Sequence, residues 1–320
     1  MGIRKIKVSE MILLTGLILT LGTSTVLAQN VAYAPPDNDG KKVLSTSQGS
    51  AKTANPNSSS INTDKSVNGN TSNSKKTVAT PVTIPQANEK VPDIAISKKG
   101  NTTTVSDGAG WLATFTDGAR TVSMRGKQRT FREPGVSATV TNNVWVRILN
   151  SPFRGTVDKS WLSEMQNNVS NDVLGIAMQY VYGSPTLRDA TGKIYASDAD
   201  YGPLNPDGTR QEGSDFNDYI GIDYAYDGVT DSYEVAQSGA MDCSGFMRMV
   251  WGYRSGIAMT NQDQAQNSKL PRRAVQMYAT GPGIVIISKG SNAQSFTSSL
   301  MPGDLVFFDS GNKGRINHVG

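Results

Sequence analysis

From Pro35 to about Val105 the chain is built of Ser, Thr, Asn, Lys, Gly and Pro, as in "TANPNSSSINTDKSVNGNTSNSKKTVATPVTIPQ". A stretch so poor in aromatic and branched aliphatic clusters cannot bury enough surface to offset the entropy of ordering it. It reads as a disordered tether over residues 29–106, so any folded core must come from the residues beyond it.

What precedes the tether has a different character. Residues 1–28 run from a basic start (Arg4, Lys5, Lys7) through an apolar block (Met11 to Leu21) to small residues ending at Ala28, the order of a secretory signal peptide. An uncleaved anchor is the alternative, but the apolar block is shorter than the roughly 20 residues a span needs. The expectation is a secreted or cell-wall-associated protein that meets a membrane only through this segment. The chain holds one cysteine and one histidine. An exported protein with a single cysteine closes no internal disulfide, so Cys243 is either a reactive thiol or a small buried apolar residue. The formal charge of +4 is compatible with an anionic cell envelope but identifies no partner, and no nucleic-acid partner is expected.

Order is expected to begin near Gly108. The runs "GWLATF", "RTVSM" and "SATVTNNVWVRIL" are separated by turn signals and predict a small β-rich unit over residues 107–165. Its segment "RTVSMRGKQRTFR" carries Arg120, Arg125, Lys127, Arg129 and Arg132, which either grip an anionic wall polymer or form an ordinary solvated face. Residues 160–182 predict a helix that packs on the core behind it: Asp172 can cap, Val173, Ile176, Ala177 and Tyr180 share a face, and Gly183 and Pro185 stop the run. A long acidic loop follows. Asp198 and Asp200 raise the idea of a calcium loop, but Gly202 and Thr209 stand where that motif requires other residues, so no metal is expected.

The segment "SGAMDCSGFMRMVWGYRSG" predicts a helix with Asp242 as N-cap and Cys243 as its first residue, because Phe246, Met249, Val250 and Tyr253 then share one face and Gly256 supplies a stop. A thiol at a helix N-terminus lies beside unpaired N–H groups that favour a thiolate and lower its pKa. The same groups can hold the oxyanion of an acyl-transfer intermediate. "DLVFF" predicts a strand, and "INHVG" starts another beside it, which would bring His318 to a strand next to "DLVFF". A nucleophile on a helix and a base on an adjacent strand form a workable pair.

At "DCSGF", "MPGDLVFF" and "NHVG", in that order, the chain resembles the NlpC family of papain-like cell-wall cysteine peptidases, over roughly residues 171–320. The resemblance implies an α+β, papain-like catalytic domain over residues 166–320, with N-terminal helices and a cysteine helix packed on an antiparallel sheet. It implies a peptidoglycan endopeptidase acting on stem peptides, often next to γ-D-glutamate, that needs no cofactor. Cys243 would be the nucleophile and His318 the general base. Asp242 and Ser244 would flank the nucleophile where the family contacts the substrate amine. "DYAYDG" resembles an aromatic element upstream of the family's cysteine and makes Tyr224 an oxyanion or substrate contact, with Asp227 standing in for a glycine. The family places a third polar residue after the base, and nothing follows Gly320, so the domain is expected to be C-terminally incomplete. Two other functions stay open: an inactive wall-binding relative, and an amidase or acyltransferase with a non-wall substrate.

Overall fold

A computed structural model describes residues 93–133, 139–262, 268–287, 299–310 and 313–320. The signal segment and the tether up to residue 92 lie outside the described residues.

The first ordered unit is a five-stranded antiparallel meander in which each strand pairs with its sequence neighbour. Its strands are β1 (Ala95–Lys99), β2 (Thr102–Asp107), β3 (Gly110–Thr116), β4 (Thr121–Arg132) and β5 (Thr139–Ile148). Two of these strands fall inside the stretch read as tether, whose order was expected only from Gly108. The reason is that threonine, polar in composition, is β-branched and suits a pleated strand. Thr103 and Val105 alternate inward on β2 and are buried. Between Arg125 and Arg129 the β4–β5 register shifts, and the bulge holds Gly126 against the Trp145 indole. A Cβ on Gly126 would come within 2.4 Å of that ring, while the indole nitrogen donates to the Lys127 carbonyl at 2.9 Å.

Alternation along β5 feeds two cores. Trp145 faces one with Leu112, Phe115, Val122, Met124 and Leu162, where helix α1 (Lys159–Asn167) packs. Val146 faces the other, with Val173, Ile176, Tyr180, Phe246 and Val319. The sheet is therefore covered on both faces near its C-terminal edge. Contacts within the meander and with Asp172 take up most of the basic segment read as either a wall-polymer grip or a solvated face. Arg129 is buried in an ion pair with Asp172, Arg125 pairs with Asp107, and the Arg120 Nε donates to the Leu149 carbonyl at 2.6 Å. Lys127 and Arg132 alone of the five are exposed, so the segment offers no basic stripe.

The helix expected over 160–182 is two helices. The second, α2, spans Val173–Ala177 and starts afresh because the Asp172 side chain accepts from the Gly175 N–H. The backbone carbonyls left free at the break, those of Asn168 and Ser170, accept from the Arg147 guanidinium at 2.6 and 2.8 Å. Between α2 and Cys243 run two small hairpins, β6 (Leu187–Arg188) with β7 (Ile194–Ala196) and β8 (Tyr224–Tyr226) with β9 (Val229–Asp231), and helix α3 (Phe216–Ile220). Helix α4 (Cys243–Met247) then continues as a π-helix over Arg248–Tyr253, and α5 spans Ala274–Thr280. The last pair is antiparallel, β10 (Phe307–Phe308) against β11 (His318–Val319), extended by reciprocal bonds between Val306 and Gly320 at 2.6 and 2.9 Å. The C-terminal part thus combines helices with antiparallel strands.

Candidate active site

Asp242 starts α4 as its sequence predicts: it is the N-cap, in extended backbone, and Cys243 is the first helical residue. The apolar face made by Phe246, Met249 and Val250 is buried, which fixes the helix in the main core and leaves its N-terminus facing β11. The Val319 N–H and the Ser244 N–H lie near the Cys243 sulfur and favour its charged form. His318 is half-buried on the same strand, opposite Phe308 in the register, with the two rings 6.0 Å apart at centroid. The lone thiol and the lone imidazole, 75 residues apart in sequence by their numbers, thus belong to one helix end and the strand that packs on it.

A third group sits at the thiol, and sequence reasoning missed it. The Tyr201 hydroxyl lies near the Cys243 sulfur, where it favours the charged form of the thiol. Its position follows from the acidic loop. The Asp200 N–H donates to the Gly239 carbonyl at 3.1 Å and the Asp200 carbonyl accepts from Met241 at 2.8 Å, tying the loop to the residues just before the nucleophile helix. Arg210 holds Asp200 from outside at 2.8 Å. Gly202 allows the tight return, since a Cβ there would lie 1.9 Å from the Gln211 carbonyl oxygen. Tyr224, the tyrosine singled out by the aromatic element, lies in a different cluster, with ring contacts to Phe216, Tyr226 and Tyr253. No local pattern distinguishes Tyr201 from the other tyrosines; only the pairing of residue 200 with residues 239–241 does.

Asp242 and Ser244 flank the thiol as expected, but their polar atoms are engaged within the protein. The Asp242 carboxylate accepts from Gly245 N at 2.8 Å, Gly213 N at 3.1 Å and Ser244 Oγ at 3.0 Å. Arg272 adds a fork to it, Nη1 at 3.1 Å and Nη2 at 2.8 Å, and Nη1 also reaches Ser244 Oγ at 2.8 Å. Behind this pair the fully buried Arg248 contacts Asp215 at 2.9 Å. Its guanidinium also donates to the carbonyls of Thr260 and Leu270 at 2.7 and 3.0 Å. Neither arginine carries a sequence signal, because a buried cation looks like a surface one until its partners are known.

The electrostatics depart from the expectation of a lowered thiol pKa. Burial pushes the Cys243 thiol up to about 11 and the Asp242 carboxylate beside it adds to the rise, against the opposing effect of the Val319 N–H, the Tyr201 hydroxyl and the Ser244 N–H. Desolvation of a charge inside the core outweighs the few N–H groups at the helix end. Burial likewise lowers the His318 pKa, with Asp242 opposing it. Burial works against the charge on Asp242, but Arg272 and the N–H of Gly245 overcome it and hold the carboxyl below its usual range. At neutral pH the resting site therefore holds a neutral thiol, a largely neutral imidazole and an ionised Asp242. Among the described residues no group of three or more His, Cys, Asp or Glu is arranged to hold a metal ion. Asp198 and Asp200 are taken up by the Gly183 N–H and by Arg210.

Residues 221–320 match the model of the NlpC/P60 family. No curated protein and no solved structure matches the chain. The match covers the cysteine helix and the strand that carries His318, and it implies a papain-like α+β fold and cell-wall peptidase activity. The similarity to the NlpC/P60 family thus lies in the C-terminal part of this chain, residues 221–320.

Proposed function

We propose that the chain is an exported peptidoglycan hydrolase that cuts amide bonds of cell-wall stem peptides, next to γ-D-glutamate, with Cys243 as nucleophile and His318 as general base. The observation that carries the reading is the packing of the Cys243 helix against β11, the strand that carries His318. Residues 1–28 supply the export signal of this reading, and secretion to the wall follows from it.

With the thiol raised to about 11, a standing thiolate is scarce at neutral pH, so deprotonation accompanies attack. His318, kept neutral by burial, takes the proton from Sγ as the sulfur bonds the amide carbon and the carbonyl electrons move to oxygen. The oxyanion collapses to a thioester as the C–N bond breaks, and His318 returns the proton to the leaving amine. Water, deprotonated by the same imidazole, then releases the acid and restores the thiol. Tyr201, whose hydroxyl lies near the sulfur, is suited to stabilise the oxyanion.

The raised thiol also favours a second reading, a wall-bound relative that does no chemistry. Mass spectrometry of soluble fragments released from purified peptidoglycan by the full chain, beside Cys243→Ala, separates the two. Stem-peptide fragments released by the unsubstituted protein alone support the hydrolase and identify its bond. Release by neither, or equally by both, removes it.

A further inference from the structure

We infer that Arg272 is a positioning residue for Cys243: its guanidinium fork holds Asp242 and Ser244 on either side of the nucleophile and offsets the Asp242 charge at the sulfur. This deepens the reading of Cys243 as a nucleophile and rests on it for its catalytic meaning.

Three observations carry the inference. Arg272 binds both flanking residues at once, through Asp242 Oδ1 and Oδ2 at 3.1 and 2.8 Å and Ser244 Oγ at 2.8 Å. A guanidinium can do this because its donors form a rigid planar fork, which an ammonium lacks. Its second nitrogen also bonds the Gly213 carbonyl at 2.5 Å, so the fork closes a ring that runs from residue 213 to the helix start and back. And the side chain is only 18% exposed, so its charge acts through poorly screened surroundings.

The sign of the effect follows from what surrounds the sulfur. Asp242, one residue away, disfavours a thiolate. Asp215 lies behind it, 3.6 Å from Arg272 Nε, and is itself bound by Arg248. Tyr201 lies near the thiol on the acidic loop with Glu212 near its hydroxyl, and His318 faces Asp242 from β11. Burial disfavours the charge on Arg272, but Asp215, Asp242 and Cys243 together sustain it. Arg272 is thus the cation that answers Asp242 at the helix start. Without it an unanswered carboxylate would stand beside the nucleophile.

Because Cys243 is the only cysteine, the pH dependence of iodoacetamide alkylation of the full chain reads its ionisation directly. Arg272→Gln is expected to raise the alkylation pKa by about one unit, slowing alkylation about tenfold at a fixed pH below it. Asp242→Asn is expected to shift the pKa the opposite way, and Asp242→Asn combined with Arg272→Gln to return near the unsubstituted value. Arg272→Lys keeps the charge without the fork and is expected to fall between the unsubstituted chain and Arg272→Gln. A purely structural arginine would lower stability in all these variants without ordering their pKa values. A folded Arg272→Gln with an unchanged profile overturns the inference. If that variant does not fold, Asp242→Asn decides: a lowered pKa supports the inference, and an unchanged or raised one overturns it. The readout is alkylation, so the inference can stand while fragment release fails, and the reverse.

Discussion

Two helix starts in this molecule are built alike. "NDVLGIA" begins α2 and "MDCSGFM" begins α4, and in each an N-cap aspartate accepts from the glycine three residues on, Gly175 or Gly245. Each carboxylate also takes an arginine fork and a backbone N–H from a distant segment. For Asp172 these are Arg129 at 2.6 and 2.7 Å and Val146 N at 2.6 Å. For Asp242 they are Arg272 at 3.1 and 2.8 Å and Gly213 N at 3.1 Å. The difference lies in the first helical residue and in what covers it. Val173 is sunk in the core, and Arg129 is stacked over Trp145 and Phe131, 4.0 and 4.5 Å from the ring centroids. The first start welds the meander to the C-terminal part. In the second, Cys243 replaces the valine, Ser244 shares the arginine, and a tyrosine and a histidine-bearing strand close over the end. One local device thus serves as a joint in one place and as the frame of a thiol site in the other.

Making the second start resemble the first is the hardest test of that contrast. Cys243→Val gives both helices a branched aliphatic first residue, and it is expected to abolish fragment release from peptidoglycan, a loss on the order of 10⁴-fold or more. Folding should change little, by roughly 1.5 kcal/mol or less, because the swap adds limited volume. A Cys243→Val protein that still releases fragments would show that the thiol is not the reacting group.

Breaking the joint should do the reverse. Arg129→Met leaves the buried Asp172 carboxylate without its cation, a change expected to cost about 3–5 kcal/mol of stability, read as a lowered urea midpoint. Activity per folded molecule should stay near that of the unsubstituted protein. An unshifted midpoint would mean that the meander and the C-terminal part do not depend on this pair. The contrasting outcome, a large activity loss at unchanged stability, would move Arg129 from the joint to the site.

How much of this was legible in the residues depended on the range of the interactions. Caps and strand signals act over a few positions, so Asp172 and Asp242 as N-caps and the pairing of His318 with the "DLVFF" segment follow from local pattern. The single apolar face expected from Phe246 to Tyr253 does not hold: the helix turns to a π-helix from Arg248, and residues 243–252 are buried all round. Thr103 and Val105 were hidden by composition, since a threonine-rich strand has the polarity of a linker. The break between α1 and α2 depends on Arg147 reaching back from β5 to two carbonyls, which no window over 160–182 contains. Tyr201, Arg248 and Arg272 were out of reach for the same reason: each is defined by a partner 12 or more residues away, as in the contacts of Arg248 with Thr260 and Arg272 with Ser244. The thiol pKa was misjudged because a helix end can be recognised in a sequence, whereas the depth at which it is buried cannot.

The two glycines separate the starts on a finer scale. A Cβ on Gly245 would lie 2.4 Å from the Ser214 carbonyl oxygen and 3.0 Å from the Asp215 Cα, both backbone atoms. On Gly175 the nearest atom would be Asn171 Oδ1 at 2.8 Å, the end of a side chain that can move aside, with the pinned Asp172 Oδ1 farther off at 3.2 Å. Gly245→Ala should therefore cost about 3 kcal/mol and Gly175→Ala about 1 kcal/mol or less, compared by urea denaturation. Equal costs would mean that the segment through Ser214 yields as easily as a side chain, and that the site frame is no stiffer than the joint.

The smallest effect distinguishes the chemistry of the second start from any mere reactivity of its thiol. If His318 takes the proton during attack, kcat/KM requires the neutral imidazole. Its pKa is lowered from 6.5 by burial, so activity should be full at neutral pH and fall only as the pH drops through a value below 6.5, about tenfold for each further unit. On the alkaline side the rate should stay level until the thiol itself begins to ionise near 11. A mechanism that used only the rare standing thiolate would behave differently, gaining about tenfold per unit from neutral pH up to that value. The slope between pH 7 and pH 10 is thus diagnostic: a plateau assigns the proton to His318, and a steady rise leaves Cys243 reacting without it.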